Sequence, residues 1–175
     1  EAEGAGVIYG QHCPGGLRGD APLPGALVTP AAKAPAGSHD GRITVAEVVQ
    51  QGVVRSDVWE RVVAAALELF ERGRQIATAA GLILADTKYE FGLDADGEVM
   101  LIDEMHTPDS SRYWVAATYE ARIAAGDEPE SLDKEVVRRA LLDAGYTGHG
   151  DPPALPAEVW AATAERYVQA YTTIT

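Results

Sequence analysis

The sequence is poor in several residue types that particular protein classes require. Cys13 is the only cysteine among 175 residues, so an internal disulfide is impossible and a reducing, cytoplasmic location is expected. The longest apolar run, residues 62–70, contains Glu68 and is too short to cross a bilayer. No secretory signal pattern is visible at the start. These absences argue against disulfide-stabilised and membrane-spanning classes.

Positive charge is also scarce. Fourteen Lys and Arg residues stand against 27 Asp and Glu, which gives a net charge of −13, and only Lys33, Lys88 and Lys134 are lysines. This balance argues against a non-specific nucleic-acid binder, which would need a basic surface. What remains is an ordinary globular composition, with 46% hydrophobic and 23% charged residues. The length suits one domain or two small ones.

The residue pattern predicts an α+β fold class. Residues 1–43 are rich in Gly and Pro and read as loops and short strands. A capping box, Thr44-Val-Ala-Glu47, predicts the start of a first helix. Further helices are predicted over residues 56–80, 113–125 and 132–144 and after Pro156, which suits a first helical turn, and a buried strand over residues 82–85. Loops, helices, a hairpin and more helices in this order indicate α+β.

The hairpin is the clearest local signal. Alternating runs at residues 88–93 and 98–103 flank the turn Asp94-Ala-Asp-Gly97. Pairing Leu93 with Glu98 predicts two faces. The apolar face would contain Tyr89, Phe91, Leu93, Met100 and Ile102. The polar face would contain Lys88, Glu90, Gly92 and Asp103, together with Val99 and Leu101.

The polar face suits a cation site. Glu90 and Asp103 would be diagonal neighbours, roughly 7–8 Å apart at Cα in a regular ladder. Mg²⁺ takes one or two carboxylates and completes its shell with water and phosphate oxygens. Lys88 beside them is suited to a phosphate. The alternative is a plain solvent face with a Lys88–Asp103 ion pair, and spacing alone leaves both open.

Longer motifs show a resemblance to a known family. They are Leu84-Ala-Asp-Thr-Lys-Tyr-Glu-Phe-Gly92, Leu101-Ile-Asp-Glu104, Thr107-Pro-Asp-Ser-Ser-Arg-Tyr-Trp114, the Pro-rich segment at residues 23–34, Gly37-Ser-His-Asp40, Leu132-Asp-Lys-Glu-Val-Val137, and residues 155–159 and 166–171. Taken in their order along the chain, these motifs resemble the phosphoribosylaminoimidazole-succinocarboxamide synthase (SAICAR synthetase) family. The resemblance corresponds to roughly the last two-thirds of a usual member.

The resemblance implies a SAICAR synthase-like, two-lobed fold of the kinase or ATP-grasp type, present here mainly as its C-terminal lobe. Residues 1–43 would be a connecting segment and a remnant of the N-terminal lobe, and residues 44–175 the C-terminal α+β lobe. No Gly-rich ATP loop and no lysine before Lys33 are recognised, so we expect this chain to lack the N-terminal ATP-binding lobe. Smaller departures from the family are Val28, Ala32 and His106.

The resemblance also implies an activity. The family joins L-aspartate to the carboxylate of phosphoribosyl carboxyaminoimidazole (CAIR) in purine biosynthesis, using ATP and Mg²⁺ and passing through an acyl phosphate. By resemblance, the catalytic residues would be Lys88 and Asp86, with Lys88 also contacting ATP phosphate. Glu90 and Asp103 would bind Mg²⁺ on the phosphates. The substrate-binding residues would be Lys33, Asp40, Asp109, Ser111 and Arg112.

Two other interpretations stay open. The chain is compatible with a free-standing C-terminal lobe that is non-catalytic or depends on a partner, and with a related amide ligase that uses another carboxylate. Partners would be small molecules, with neither nucleic acid nor a membrane among them. A homo-oligomer, or a partner that supplies the N-terminal lobe, is compatible with each interpretation.

Overall fold

A computed structural model describes residues 6–17, 19–32 and 41–175. Its elements, in chain order, are strands and helices of mostly short length. They are β1 (Val7–Ile8), β2 (Gln11–His12), β3 (Ala31–Ala32), β4 (Gly41–Arg42), α1 (Val45–Gln50), α2 (Ser56–Ala79), β5 (Leu82–Thr87), β6 (Glu90–Leu93), β7 (Val99–Ile102), β8 (Ser111–Val115), α3 (Ala116–Ala125), α4 (Glu135–Asp143) and α5 (Ala157–Ile174). The strands form four two-stranded sheets: β1–β2, β3–β4, β5–β8 and β6–β7. This mixture agrees with the predicted α+β class.

The first compact unit comprises residues up to 69 together with residues 91–100. Its best-defined local feature is α1, where the Glu47 amide donates to the Thr44 hydroxyl and the Thr44 amide donates to the Glu47 carboxylate. The predicted capping box is therefore confirmed. Val48 of this helix is buried, as are Ile43 and Val58.

The hairpin turn differs from the prediction by one residue. The Asp94 amide donates to the Glu98 carbonyl at 3.0 Å, so Asp94 rather than Leu93 pairs with Glu98. Gly97 has φ +81°, which a three-residue hairpin loop with a bulge requires. A shift of one residue exchanges the two faces of a strand.

The predicted apolar face of the hairpin was consequently wrong in part. Leu93, Met100 and Ile102 are exposed, while Val99 and Leu101 are the partly buried residues of their strand. The turn is tied to α2 within the same unit. Arg61 donates to the Glu98 carboxylate at 2.7 Å and to the Gly97 carbonyl at 3.3 Å.

The second compact unit comprises residues 70–90 and 101–175. Its core joins the end of α2, the β5–β8 pair, the segment before α4, and α5. The buried members are Ala77, Leu82, Leu84, Tyr113, Leu132 and Ala170, with Phe70, Val115 and Ile174 packed against them. Gly81, at φ +75°, ends α2 as predicted and turns the chain into β5.

Helix starts were predicted less well than helix ends. Residues 113–115 are not helical, because β8 extends to Val115 and pairs with β5, and α3 begins only at Ala116. Helix α4 begins at Glu135 rather than after Ser131. Pro156 occupies the N-cap position of α5. Among the described residues, no helix is long and apolar enough to span a membrane.

Candidate functional site

A pocket of about 350 Å³ lies within the second unit. Polar and charged side chains surround it, contributed by β5, the residues on either side of the β6–β7 hairpin, β8 and the start of α4. The lining residues are Asp86, Lys88, Glu90, Asp103, Glu104, Asp109, Ser110, Ser111, Arg112, Asp133, Lys134, Glu135 and Arg138.

An ion pair between neighbouring strands forms one wall. The register of β5 and β8 shifts between Leu84 and Asp86, which leaves Ala85 as an extra residue and brings Asp86 opposite Arg112. Such bulges often re-aim side chains next to functional sites. The Arg112 Nε donates to one Asp86 oxygen at 2.9 Å, and its Nη2 donates to the other. The carboxylate therefore fixes the plane of the guanidinium.

A second charged pair lies where β6 begins. The Lys88 ammonium contacts the Glu90 carboxylate at 2.7 Å. The Lys88 side chain is 61% exposed and that of Glu90 only 16%, so the lysine is open to solvent while the carboxylate is largely covered. Asp103 follows β7 with φ +67°, a left-handed conformation that Asp tolerates better than most residues.

A hydroxyl network lies next to the Asp86–Arg112 ion pair, on the same two strands. The Thr87 and Ser111 hydroxyls are 2.8 Å apart, and Ser111 is buried. Ser110 bonds to Thr107 through both its amide and its hydroxyl, and its carbonyl accepts from the Lys88 amide at 2.9 Å. The backbone after β5 is therefore connected directly to the backbone before β8.

Asp133 joins two elements at the buried end of the pocket. Only 1% of this residue is exposed. Its carboxylate accepts the Tyr113 amide at 3.2 Å and the Glu135 amide at 2.8 Å. Burial raises the pKa of the Asp133 carboxyl, and the two backbone amides partly oppose that rise.

Asp109 lies between a cation and a phenol. Its carboxylate is 3.5 Å from the Lys134 ammonium and accepts the Tyr167 hydroxyl at 3.4 Å. Burial, together with the Asp109 charge, raises the pKa of Tyr167 to about 12. Tyr167 therefore stays protonated and acts as a hydrogen-bond donor at neutral pH.

The lining is rich in charge of both signs but has an excess of carboxylates. Seven Asp and Glu residues line the pocket, against two lysines and two arginines. An anionic molecule entering this pocket would meet net repulsion unless a cation accompanied it. The described residues contain no group of three or more His, Cys, Asp or Glu placed to bind a metal. Glu90 and Asp103, the two carboxylates predicted to bind Mg²⁺, both line the pocket. Mg²⁺ needs only one or two protein carboxylates.

The pocket brings together most of the residues that the sequence singled out. Seven of the nine predicted site residues line it: Asp86, Lys88, Glu90, Asp103, Asp109, Ser111 and Arg112. The other two, Lys33 and Asp40, lie outside the described residues.

Sequence reasoning missed several members of the lining. Asp133, Lys134 and Arg138 were not assigned to the site, although the run Leu132-Asp-Lys-Glu-Val-Val137 was recognised as part of the resemblance. Its adjacent Asp, Lys and Glu, just before a helix, were the available signal. Glu104 and Ser110, which neighbour predicted residues, were missed as well.

Known proteins with similar sequences belong to one family. The sequence model of the SAICAR synthetase family matches residues 2–153. A putative phosphoribosylaminoimidazole-succinocarboxamide synthase 2 of Mesorhizobium japonicum is 45% identical over 169 residues, covering 96% of this chain and 54% of that protein.

Solved structures point the same way. The SAICAR synthase of Saccharomyces cerevisiae, complexed with SAICAR, aligns with a TM-score of 0.77 at 32% identity over 97% of this chain and 53% of the yeast chain. A type-2 SAICAR synthetase in complex with ADP aligns with a TM-score of 0.54 at 29% identity, over 78% of this chain and 46% of that one. The chain thus spans about half the length of these relatives. With a family match over most of its residues, the chain belongs to the SAICAR synthetase family.

Proposed function

We propose that this chain provides the substrate pocket of a SAICAR synthase-type ligase, which joins L-aspartate to the carboxylate of CAIR with consumption of ATP. The observation that supports it best is the convergence of Asp86, Lys88, Glu90, Asp103, Asp109, Ser111 and Arg112 on one pocket. The related yeast structure contains SAICAR, the product of this reaction, and another relative contains ADP, which supports the same product and nucleotide here.

In this proposal Glu90 and Asp103 would hold Mg²⁺. When bound, the ion would neutralise and polarise the phosphate oxygens of ATP. Glu90 is largely covered and is paired with Lys88, which holds its carboxylate in place. The carboxylate excess of the pocket gives a physical reason for a cation, because ATP, CAIR and L-aspartate are all anionic.

The remaining residues would position the reacting groups. Lys88, with its exposed ammonium, would bind a phosphate of ATP while a CAIR carboxylate oxygen attacks the γ-phosphorus and ADP leaves. The aspartate amine would then attack the acyl carbon, forming the amide, losing a proton and releasing phosphate. Arg112, oriented by Asp86, would bind CAIR, the nucleotide that accepts aspartate, together with Asp109 and Ser111. Lys33 and Asp40 keep their predicted substrate roles as part of this proposal.

Product formation tests the proposal directly. The chain would be incubated with ATP, Mg²⁺, L-aspartate and CAIR, alone and after co-expression with the part of the M. japonicum relative that lies outside the match. We expect SAICAR, detected by mass spectrometry, in at least one arm. The intact M. japonicum protein is the positive control.

The same assay separates the alternatives. SAICAR only in the co-expression arm would establish a partner-dependent lobe. The assay would also be repeated with other carboxylates in place of CAIR. An adduct of aspartate with one of them, and none with CAIR, would indicate a related amide ligase. Absence of any product in both arms, with an active positive control, would refute the proposal.

A further inference from the structure

His106 occupies an unusual position in the β7–β8 loop, which we define as residues 103–110. Its backbone lies at φ +57°, a conformation that few side chains other than Gly, Asn, Asp and His adopt readily. Its Nε2 shares a hydrogen bond with the Tyr89 hydroxyl, and the two rings meet edge to face with centroids 5.5 Å apart. Burial lowers the pKa of His106, so the ring is neutral at pH 7.

The His106 ring lies directly over Gly73, a buried residue of α2. A methyl group built at Gly73 would be 2.8 Å from both ring nitrogens of His106. Real Cβ atoms do not approach neighbours so closely, so the ring fills the space that any side chain at residue 73 would need. Glycine is disfavoured in a helix interior, and this contact supplies the structural reason for one here.

A third contact ties His106 to the core of the second unit. Its backbone carbonyl accepts the Tyr113 hydroxyl at 2.8 Å, and Tyr113 is a buried core residue. The side chain and the backbone of His106 are thus held by three different elements: α2, the residue before β6, and β8.

The loop held in this way contributes four pocket-lining residues: Asp103, Glu104, Asp109 and Ser110. His106 is three residues from both Asp103 and Asp109, while its own side chain is directed at Gly73 and Tyr89. We propose that His106 is a positioning residue, whose ring, packed on Gly73 and bonded to Tyr89, holds the β7–β8 loop so that Asp103 and Asp109 line the pocket. This inference rests on the proposed function, because it concerns the same pocket.

Amide hydrogen exchange tests whether the ring holds the loop. His106→Asn removes the ring but keeps a residue that tolerates positive φ. Tyr89→Phe removes only the hydroxyl. The reporters are the amides of Thr107, Ser110 and Ser111, which bond within the loop.

We expect both variants to exchange these amides roughly three- to tenfold faster, the effect of losing about one hydrogen bond. The control is Tyr146→Phe, which removes a hydroxyl that donates to the Gly150 carbonyl outside the pocket, and it should leave exchange unchanged. Unaltered exchange in His106→Asn would overturn the inference.

A double-mutant cycle tests the packing on Gly73. Gly73→Ala should lower the urea midpoint of the wild-type chain, because the methyl group meets the ring. In the His106→Asn background the same substitution should raise the midpoint, since alanine favours the helix once the ring is gone. Equal effects of Gly73→Ala in both backgrounds would refute the packing role.

Paramagnetic broadening by Mn²⁺ separates this inference from the proposed function. In the wild type, added Mn²⁺ should broaden the Asp103 and Glu104 amide signals, and His106→Asn should weaken that effect. Faster exchange in His106→Asn with no broadening in the wild type would support the positioning role and count against the metal site. Unchanged exchange overturns the positioning role whatever Mn²⁺ does.

Discussion

At the scale of single residues, two cationic side chains of the pocket, Arg112 and Lys88, are each already paired with a carboxylate. Arg112 already binds Asp86 through two nitrogens, and Lys88 already contacts Glu90. In the proposed function, these partners would orient the cations in advance, which would lower the entropic cost of binding a substrate. They would then share those cations with the phosphate or carboxylate groups of the substrates.

Asp103→Asn tests the carboxylate proposed to bind Mg²⁺. Asn tolerates the φ of +67° at this position, so the fold should persist. We expect Mg²⁺-dependent ATP turnover to fall by roughly a hundredfold or more, because metal stabilisation of phosphoryl transfer amounts to several kcal/mol. Asp96→Asn, in the exposed hairpin turn, is the matched control and should keep full turnover. Full turnover in Asp103→Asn would remove the metal role.

Arg112→Ala tests the proposed contact between Arg112 and CAIR. Loss of the guanidinium should raise the KM for CAIR about ten- to a hundredfold, in line with a lost hydrogen bond to a charged group, and change kcat less. Steady-state kinetics with varied CAIR measures both parameters. Arg74→Ala, which removes an exposed arginine paired with Glu71 on α2, serves as control. An unchanged KM for CAIR would contradict the assignment.

At the scale of elements, the bulge in β5 and the buried Asp133 organise the pocket. The bulge at Ala85 changes the register so that Asp86 meets Arg112. Asp133 connects β8 to the first turn of α4 by accepting one amide from each. The bulge aligns β5 with β8, and Asp133 holds β8 against the start of α4, although these elements are far apart along the chain.

Asp133→Asn should destabilise the protein by about 1–3 kcal/mol, because an Asn side chain has one acceptor oxygen and would leave a buried amide unpaired. The loss of stability caused by Asp133→Asn should depend on pH. Since the folded pKa of Asp133 is raised, its contribution to stability is greatest below the unfolded pKa of about 3.9 and declines as pH rises towards the folded value.

Urea unfolding of both proteins across the acidic and neutral range measures this difference. We expect the stability gap between wild type and Asp133→Asn to narrow as pH rises from about 3.9. A gap that widens with pH would show that the folded pKa is lowered instead. Asp143→Asn, an exposed change at the end of α4, is the control for a lost carboxylate.

At the scale of the whole molecule, the net charge of −13 dominates the electrostatics. Charge of one sign repels itself in the folded state, and salt screens that repulsion. Two cations of the pocket, Lys88 and Arg112, lie among the few positive charges available.

We expect added salt to stabilise the fold at neutral pH. The Tm should rise between about 10 mM and 0.3 M NaCl, by roughly 2–4 °C for each kcal/mol of repulsion that is screened. Differential scanning calorimetry gives the measurement. Near pH 4.6, the isoelectric point of the sequence, the effect should disappear, which provides the control. A Tm that falls with salt at neutral pH would mean that attractive ion pairs outweigh the repulsion.

Local sequence signals determined much of this protein. The capping box at Thr44 and the chain reversal at Gly81 each depend on neighbouring residues, so the sequence sufficed to predict them. The sequence also located the hairpin turn at residues 94–97, but it did not give the pairing of the residues beside the turn. Seven of the nine residues singled out by the resemblance line one pocket, because ordered motifs preserve the order of chemical groups along the chain.

Only the tertiary structure decided the rest, because the deciding partners are distant in sequence. Residues 111–115 form a strand since β5, more than twenty residues earlier, offers a free edge, and that pairing outweighs the helical pattern. Asp86 meets Arg112 only through the bulge, and His106 rests on Gly73 only because the loop folds back onto α2. Local propensity contains no information about such partners, whereas packing and hydrogen bonding in the folded chain determine them.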